Sequence, residues 1–250
     1  MLESQVLDQA HGLQAWELHP PTRVLPVVDT VPSTRSFELL WRLEQSFRDL
    51  SLPVVVLEGV RGLRPQDATA GHRAVMRRWL SGVPSGSVVL LHAPLEALSV
   101  LLADSQARPL VALDDTPPGL VDAYNAVKVL HQAAALEPVV MALQPPPLPG
   151  PPTASAPAAQ RLEQAVQSLR ATSVQQLAWV PLTWSLEYHF SGSGMRDGAA
   201  ALSSRLKLLD SALILDDLET RSYDDKRDQR SPIRAEQILG APDVQRQRYA

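Results

Sequence analysis

The chain contains no cysteine. That excludes thiolate nucleophiles, Cys-based zinc sites and disulfides together, and it suits a reducing compartment. A basic excess is also missing. The 23 Lys and Arg residues stand against 27 Asp and Glu, a formal charge of −4, so composition lends nothing to a nucleic-acid partner. No apolar run approaches the roughly 20 residues that span a bilayer. The stretch 1–18 is interrupted by Glu3, Asp8, His11 and Glu17, unlike a secretory leader. The expected address is the cytoplasm, without stable membrane insertion.

What is present is enough apolar material for one core: 250 residues, 45% of them hydrophobic. Four runs rich in Val and Leu, Val24 to Val28, Pro53 to Leu57, Ser87 to Leu91 and Pro109 to Leu113, read as buried parallel strands. Pro138 to Leu143 and Leu177 to Pro181 are weaker companions. Amphipathic stretches of helical length fall between them: Phe37 to Leu50, Ala74 to Leu80, Leu95 to Asp104, Leu120 to Ala135 and Ala158 to Thr172. Alternation of strand and helix predicts an α/β fold, a three-layer wound and mostly parallel sheet of P-loop NTPase-like type, and excludes a solenoid or an all-β sandwich. The segment 144–157, QPPPLPGPPTASAP, reads as an extended surface loop, and Leu202 to Leu218 as a helix or strand closing the core. The predicted layout is an N-terminal segment 1–18, an α/β domain 19–218 and a polar tail 219–250.

In such a fold the turn after the first strand aims amide groups and a helix N-terminus at one spot, where phosphate is bound. Here that turn is Asp29 to Ser36, DTVPSTRS. The glycines a phosphate loop needs are missing, Pro32 removes a donor, and Asp29 adds negative charge. Arg35 and Ser36 nonetheless stand where the lysine and the magnesium-binding hydroxyl of such a loop would fall. The plainer alternative is that Ser33 or Thr34 caps the following helix. Glu58 ends the second strand where an aspartate would assist hydrolysis, and His92 ends the third where a magnesium-linked aspartate is expected; imidazole suits that hard cation poorly. Arg35, Ser36 and Glu58 are therefore the residues of a degenerate nucleotide site. The pair Asp114 and Asp115 reads as a turn within DDTPPG. The six histidines are scattered, with no metal-ligand spacing and no Ser/His/Asp arrangement apparent, so no catalytic residue and no metal site are expected.

Several segments share a family likeness. DQAHGLQAW (Asp8 to Trp16) resembles the DQAxxLR element of FlhG-type flagellar regulators, members of the MinD/ParA family of ATPases. GLVDAYNAVKVL (Gly119 to Leu130) is similar to the family's SLTDAYALIKVL, VVLLHAP resembles its LLIDTAAG strand, and QLAWVPLTWSLEYHF (Gln176 to Phe190) its LGFIPRDDAVRRAV segment. The likeness runs in order from Asp8 to Phe190. It departs at every nucleotide-touching position: DTVPSTRS replaces GKGGVGKT, Glu58 and His92 replace aspartates, and the asparagine after the VVN strand is lost at Val139 to Leu143. Gln14 also replaces the arginine of the N-terminal element.

The resemblance implies a non-hydrolysing regulator of flagellar assembly that binds the SRP-type GTPase FlhF through Asp8, Gln9, Ala10 and Leu13. Leu7, Ala10 and Leu13 are spaced as the stripe of a short docking helix, although a terminal turn packed on its own domain remains an equal alternative. It also implies partner contacts at Asp122, Tyr124 and Lys128, for which a solvated helix face is the competing explanation. No cofactor is expected. The alternatives are an accessory protein of another envelope machine, such as cellulose synthase or a pilus, and an ATPase that holds ATP and magnesium on an unconventional loop. Homodimer formation is left open, as is recruitment to the membrane or pole by a partner.

Overall fold

The first strand, β1 (Arg23–Asp29), is buried along its middle on both faces, which is why its sequence is a continuous apolar run and not an alternating one. The computed structural model that contains it describes residues 21–30, 34–58, 72–103, 105–146, 156–186 and 207–214. After β1 come α1 (Thr34–Arg48), β2 (Val54–Glu58), α2 (His72–Leu80), β3 (Val88–Pro94), α3 (Leu95–Leu101), β4 (Leu110–Leu113), α4 (Pro117–Ala134), β5 (Val139–Leu143), α5 (Ala156–Leu177), β6 (Leu182–Leu186) and β7 (Leu213–Ile214). The strands form one 7-stranded sheet in the order β2-β3-β1-β4-β5-β6, with β7 set antiparallel against β1 and the other pairings parallel.

Side chains alternate across each strand and feed two apolar layers. Val24, Val28, Val89 and Leu91 face one layer with Met76, Leu98, Val127, Leu130 and Leu169 from α2 to α5. Leu25, Val27, Val88 and Leu90 face the other with Leu39, Leu43 and Phe47 of α1 and with Leu208 and Leu209. Each fully buried Val, Leu or Phe contributes about 1.5–3 kcal/mol, so sheet and helices hold together through these two faces. The architecture is the predicted three-layer α/β sandwich.

Pro26 lies inside a central strand, an unusual place for a residue without an N–H. The Arg23 amide donates to the Ser87 carbonyl on the β3 side at 3.0 Å, so by the two-residue period the missing donor of Pro26 faces β4. The β1–β3 ladder is complete over the strand, whereas β1 and β4 pair only at Val27 and Leu110. The proline is accommodated where the ladder is shortest.

One strand lies elsewhere than the sequence suggests. Leu177 to Pro181 ends a helix and makes a turn, and the strand follows at Leu182–Leu186. The helix α5 runs on to Leu177; Ala178 then takes a left-handed φ of 51° while its amide still reaches the Val174 carbonyl at 3.1 Å. The ladder to β5 begins one residue past Pro181, at Leu182. The segment Leu202 to Leu218 proves to contain both expected forms, a helical turn at 207–210 and then β7. The start of α5 at Ala156 takes in the last residues of the proline-rich stretch.

No helix among the described residues is long and apolar enough to cross a membrane.

Candidate functional site

The chain leaves β1 through α1 on one face of the sheet and leaves β3 through α3 on the other. In open α/β sheets the crevice beyond the carboxyl ends at such a reversal is where ligands bind. Asp29 ends β1, His92 lies near the end of β3, Asp114 follows β4, and the first turn of α1 carries Arg35 and Ser36 across these ends. The turn at 31–33 lies outside the described residues.

Arg35 is committed to the protein's own carboxylates. Its Nε donates to Asp114 Oδ2 at 2.7 Å, its Nη1 to Asp122 Oδ2 at 2.9 Å, and its Nη2 to Thr116 Oγ1 at 3.4 Å. Burial pulls the Arg35 pKa down, but the hydrogen bonds and charges of Asp114 and Asp122 outweigh it and hold the group above its ordinary value. It is a cation throughout the physiological range.

Local chemistry places both acids. Thr116 caps α4, with Pro117 and Pro118 in its first turn, where their missing donors cost nothing. The Thr116 hydroxyl accepts from the Gly119 amide at 3.2 Å and donates to Asp114 Oδ1 at 2.7 Å; its amide donates to the same oxygen at 3.1 Å. A β-carbon on Gly119 would lie 1.9 Å from Asp114 Oδ1 and 2.9 Å from Arg35 Nε. Only glycine lets the carboxylate sit against the helix. The DDTPPG turn is thus also the cradle that brings Asp114 to Arg35.

Ser36 is fully buried, and its hydroxyl donates to Asp29 Oδ1 at 2.9 Å. His92 Nε2 lies 3.2 Å from the same hydroxyl oxygen and 3.6 Å from Asp29 Oδ1. With the serine proton given to Asp29, the Nε2–H tautomer of His92 donates to Ser36. Desolvation lowers the His92 pKa, opposed by the charges of Asp29 and Glu58. The ring also meets Phe37, tilted, with centroids 5.1 Å apart.

Asp, Ser and His are therefore neighbours, which no linear spacing shows. Their order is not that of a nucleophilic triad, where the hydroxyl donates to the imidazole and the carboxylate orients the other ring nitrogen. Here the carboxylate takes the hydroxyl proton directly and the serine has no surface to offer a substrate. The arrangement pins the start of α1 to the ends of β1 and β3.

Of the other expected site residues within the described fold, Asp122 joins this cluster through Arg35, and Glu58, Tyr124 and Lys128 do not. Glu58 is exposed and stands in register with His92 across the β2–β3 ladder. Asp122 turns onto Arg35, Tyr124 is partly buried against the first apolar layer, and Lys128 is exposed. Asp8, Gln9, Ala10 and Leu13 lie outside the described residues. Among the described residues no cluster of three or more acidic or histidine side chains could hold a metal. Sequence reasoning did not find the roles of Asp114, Thr116 and Gly119; the available signal was a glycine and a capping threonine beside two prolines.

No known family model matches the chain, and no curated protein matches it in sequence.

Proposed function

We propose that the chain is a non-hydrolysing protein of MinD/ParA type that regulates flagellar assembly by binding a protein partner, the SRP-type GTPase FlhF. The fold-level support is the wound sheet with polar residues at its reversal point. The observation that carries the loss of nucleotide chemistry is the pairing of Arg35 with Asp114 and Asp122. Those carboxylates occupy the guanidinium that would meet a phosphate, and Asp29 takes the Ser36 hydroxyl that would meet magnesium. A nucleotide would have to break both ion pairs and then face Asp29, Asp114 and Asp122 with its own negative charge.

The two halves are tested separately. Isothermal titration with ATP and magnesium is expected to show no binding; a micromolar dissociation constant would restore the ATPase alternative. Titration of the full chain against labelled FlhF is expected to show saturable binding weakened by Gln9→Ala. Absence of any binding would end the flagellar assignment without bearing on nucleotide binding.

A further inference from the structure

The sheet is continuous in strand order but not in hydrogen bonding. β1 is in register with β3 over its whole length, Arg23 to Asp29, and β4 with β5 from Leu110 to Leu113. Between these two sets, β1 and β4 share the single pair Val27 and Leu110, and nearer the start of β1 the pairing at Arg23 and Val24 passes to β7. The Val139 amide donates to the Pro109 carbonyl at 2.9 Å, so Val111 faces β5 and Leu110 faces β1. Leu110 therefore takes the Pro26 carbonyl and the Val28 amide as its partners in the parallel pattern. The next bond toward the amino ends needs an amide that Pro26 lacks. Toward the carboxyl ends the ladder stops as well, which leaves Asp29 and Asp114 at the unladdered end.

Side chains of α1 close this end. The helix is held to β1 by a connection of three residues, 31–33, and by the bond from Ser36 to Asp29. It reaches the far side through Arg35, on Asp114 and Asp122, and through Arg42, on the Gln144 and Leu186 carbonyls. Adjacent residues, Arg35 and Ser36, thus fasten opposite sides of the boundary. Both apolar layers run across it, so the closed form is the ground state.

We infer that the β1–β4 boundary is a conformational seam, clasped by Arg35, along which β4-β5-β6 with α4 and α5 parts from β2-β3-β1 with α1 while each half stays folded. The strand pairs on either side keep their ladders throughout, β2–β3 from Val54 to Glu58 and β5–β6 from Val139 to Leu143. Sub-global opening follows the boundary that breaks the fewest backbone bonds. Because the ladder ends at Val27, opening widens the crevice and releases the Arg35 guanidinium and the carboxylates of Asp114 and Asp122 into it. The seam belongs to the fold whether or not nucleotide binds.

Amide hydrogen exchange of the full chain, followed residue by residue by NMR where reclosing outpaces exchange, tests the seam. The Val28 and Leu110 amides cross it, those of Leu25 and Val27 face β3, and those of Val111 and Met141 lie in the β4–β5 ladder. Val28 and Leu110 are expected to exchange at least about tenfold faster than the other four. Arg35→Ala and the milder Asp122→Asn are expected to speed both seam amides, by about tenfold and about threefold. Leu169→Val is the control. It trims α5, which packs on α4 and β5 within one half, so it is expected to speed Val111 and Met141 and to leave Val28 and Leu110 unchanged. Equal rates at all six amides, or seam amides that answer Leu169→Val as they answer Arg35→Ala, overturn the inference, because the sheet then opens only as one unit. Seam amides indifferent to Arg35→Ala overturn the clasp.

Discussion

Arg35 and Asp122 are 87 residues apart in sequence and 2.9 Å apart in space, joined where the first turn of α1 meets the first turns of α4. Asp114 closes the same guanidinium from the end of β4 at 2.7 Å. The arginine is only 11% exposed and its partners 25% and 27%. Its removal leaves two half-buried carboxylates facing each other, so Arg35→Ala is expected to cost roughly 2–4 kcal/mol. Arg35→Lys should recover less than half of that, because one ammonium cannot serve two carboxylates and a hydroxyl from the same fork. Urea unfolding of the variants checks both values.

Gly119→Ala would normally favour a helix by about 1 kcal/mol. Here the added methyl would fall 1.9 Å from Asp114 Oδ1. The expected sign is therefore reversed, a loss of about 1–3 kcal/mol. In an Asp114→Ala background the obstructing carboxylate is gone and the penalty of Gly119→Ala should shrink or vanish. A double-mutant cycle measures that coupling.

Asp115, the neighbour of Asp114, gives a control. It accepts two bonds from Arg161, at 2.9 and 2.6 Å, but Arg161 is 58% exposed. Solvent screens such a pair, and Arg161→Ala should change stability by no more than about 1 kcal/mol. A larger effect in thermal unfolding would mean that α5 relies on this contact more than its exposure suggests.

Arg42 is buried at 3% exposure and donates to the Leu186 carbonyl at 2.8 Å and the Gln144 carbonyl at 2.7 Å. It also pairs with Glu38, one turn earlier on α1. It ties α1 to the ends of β5 and β6, so Arg42→Ala should destabilise the fold by roughly 2–4 kcal/mol. Hydrogen exchange should show lost protection at the Gln144 amide before the β1 and β3 amides open.

His92 predicts a pH dependence. Burial holds its folded pKa below the ordinary value, against the pull of Asp29 and Glu58. Between the folded value and the unfolded one near 6.5, the unfolded chain binds more protons, so stability rises with pH there. It is lost as pH falls below about 6.5 and levels once the folded imidazole is itself protonated. His92→Asn should flatten this part of the stability curve in denaturant titrations between neutral and mildly acidic pH. An unchanged slope would place the titration elsewhere.

Much of the fold was legible because burial on both faces forces a parallel strand to be continuously apolar. Runs such as Val24 to Val28 and Pro109 to Leu113 are therefore visible without any structure. The strand after α5 was misplaced because Leu177 to Pro181 has the same apolar content, and only the continuation of the helix to Leu177 and the left-handed Ala178 decide between them. At the crevice, the sequence showed that DTVPSTRS lacks the glycines of a phosphate loop. It did not show which groups meet Arg35 and Ser36.

By itself the sequence determined the layer architecture, the absence of thiol chemistry and the lack of a glycine-built anion cradle, because each follows from residue type and period along one stretch of chain. Only the tertiary structure decided that Arg35 is answered by Asp114 and Asp122, and that Ser36 lies between Asp29 and His92. Those partners come from separate strands and helices. Their meeting depends on sheet order, on the cap at Thr116 and on the one glycine that lets a carboxylate rest against a helix, none of which a linear spacing encodes.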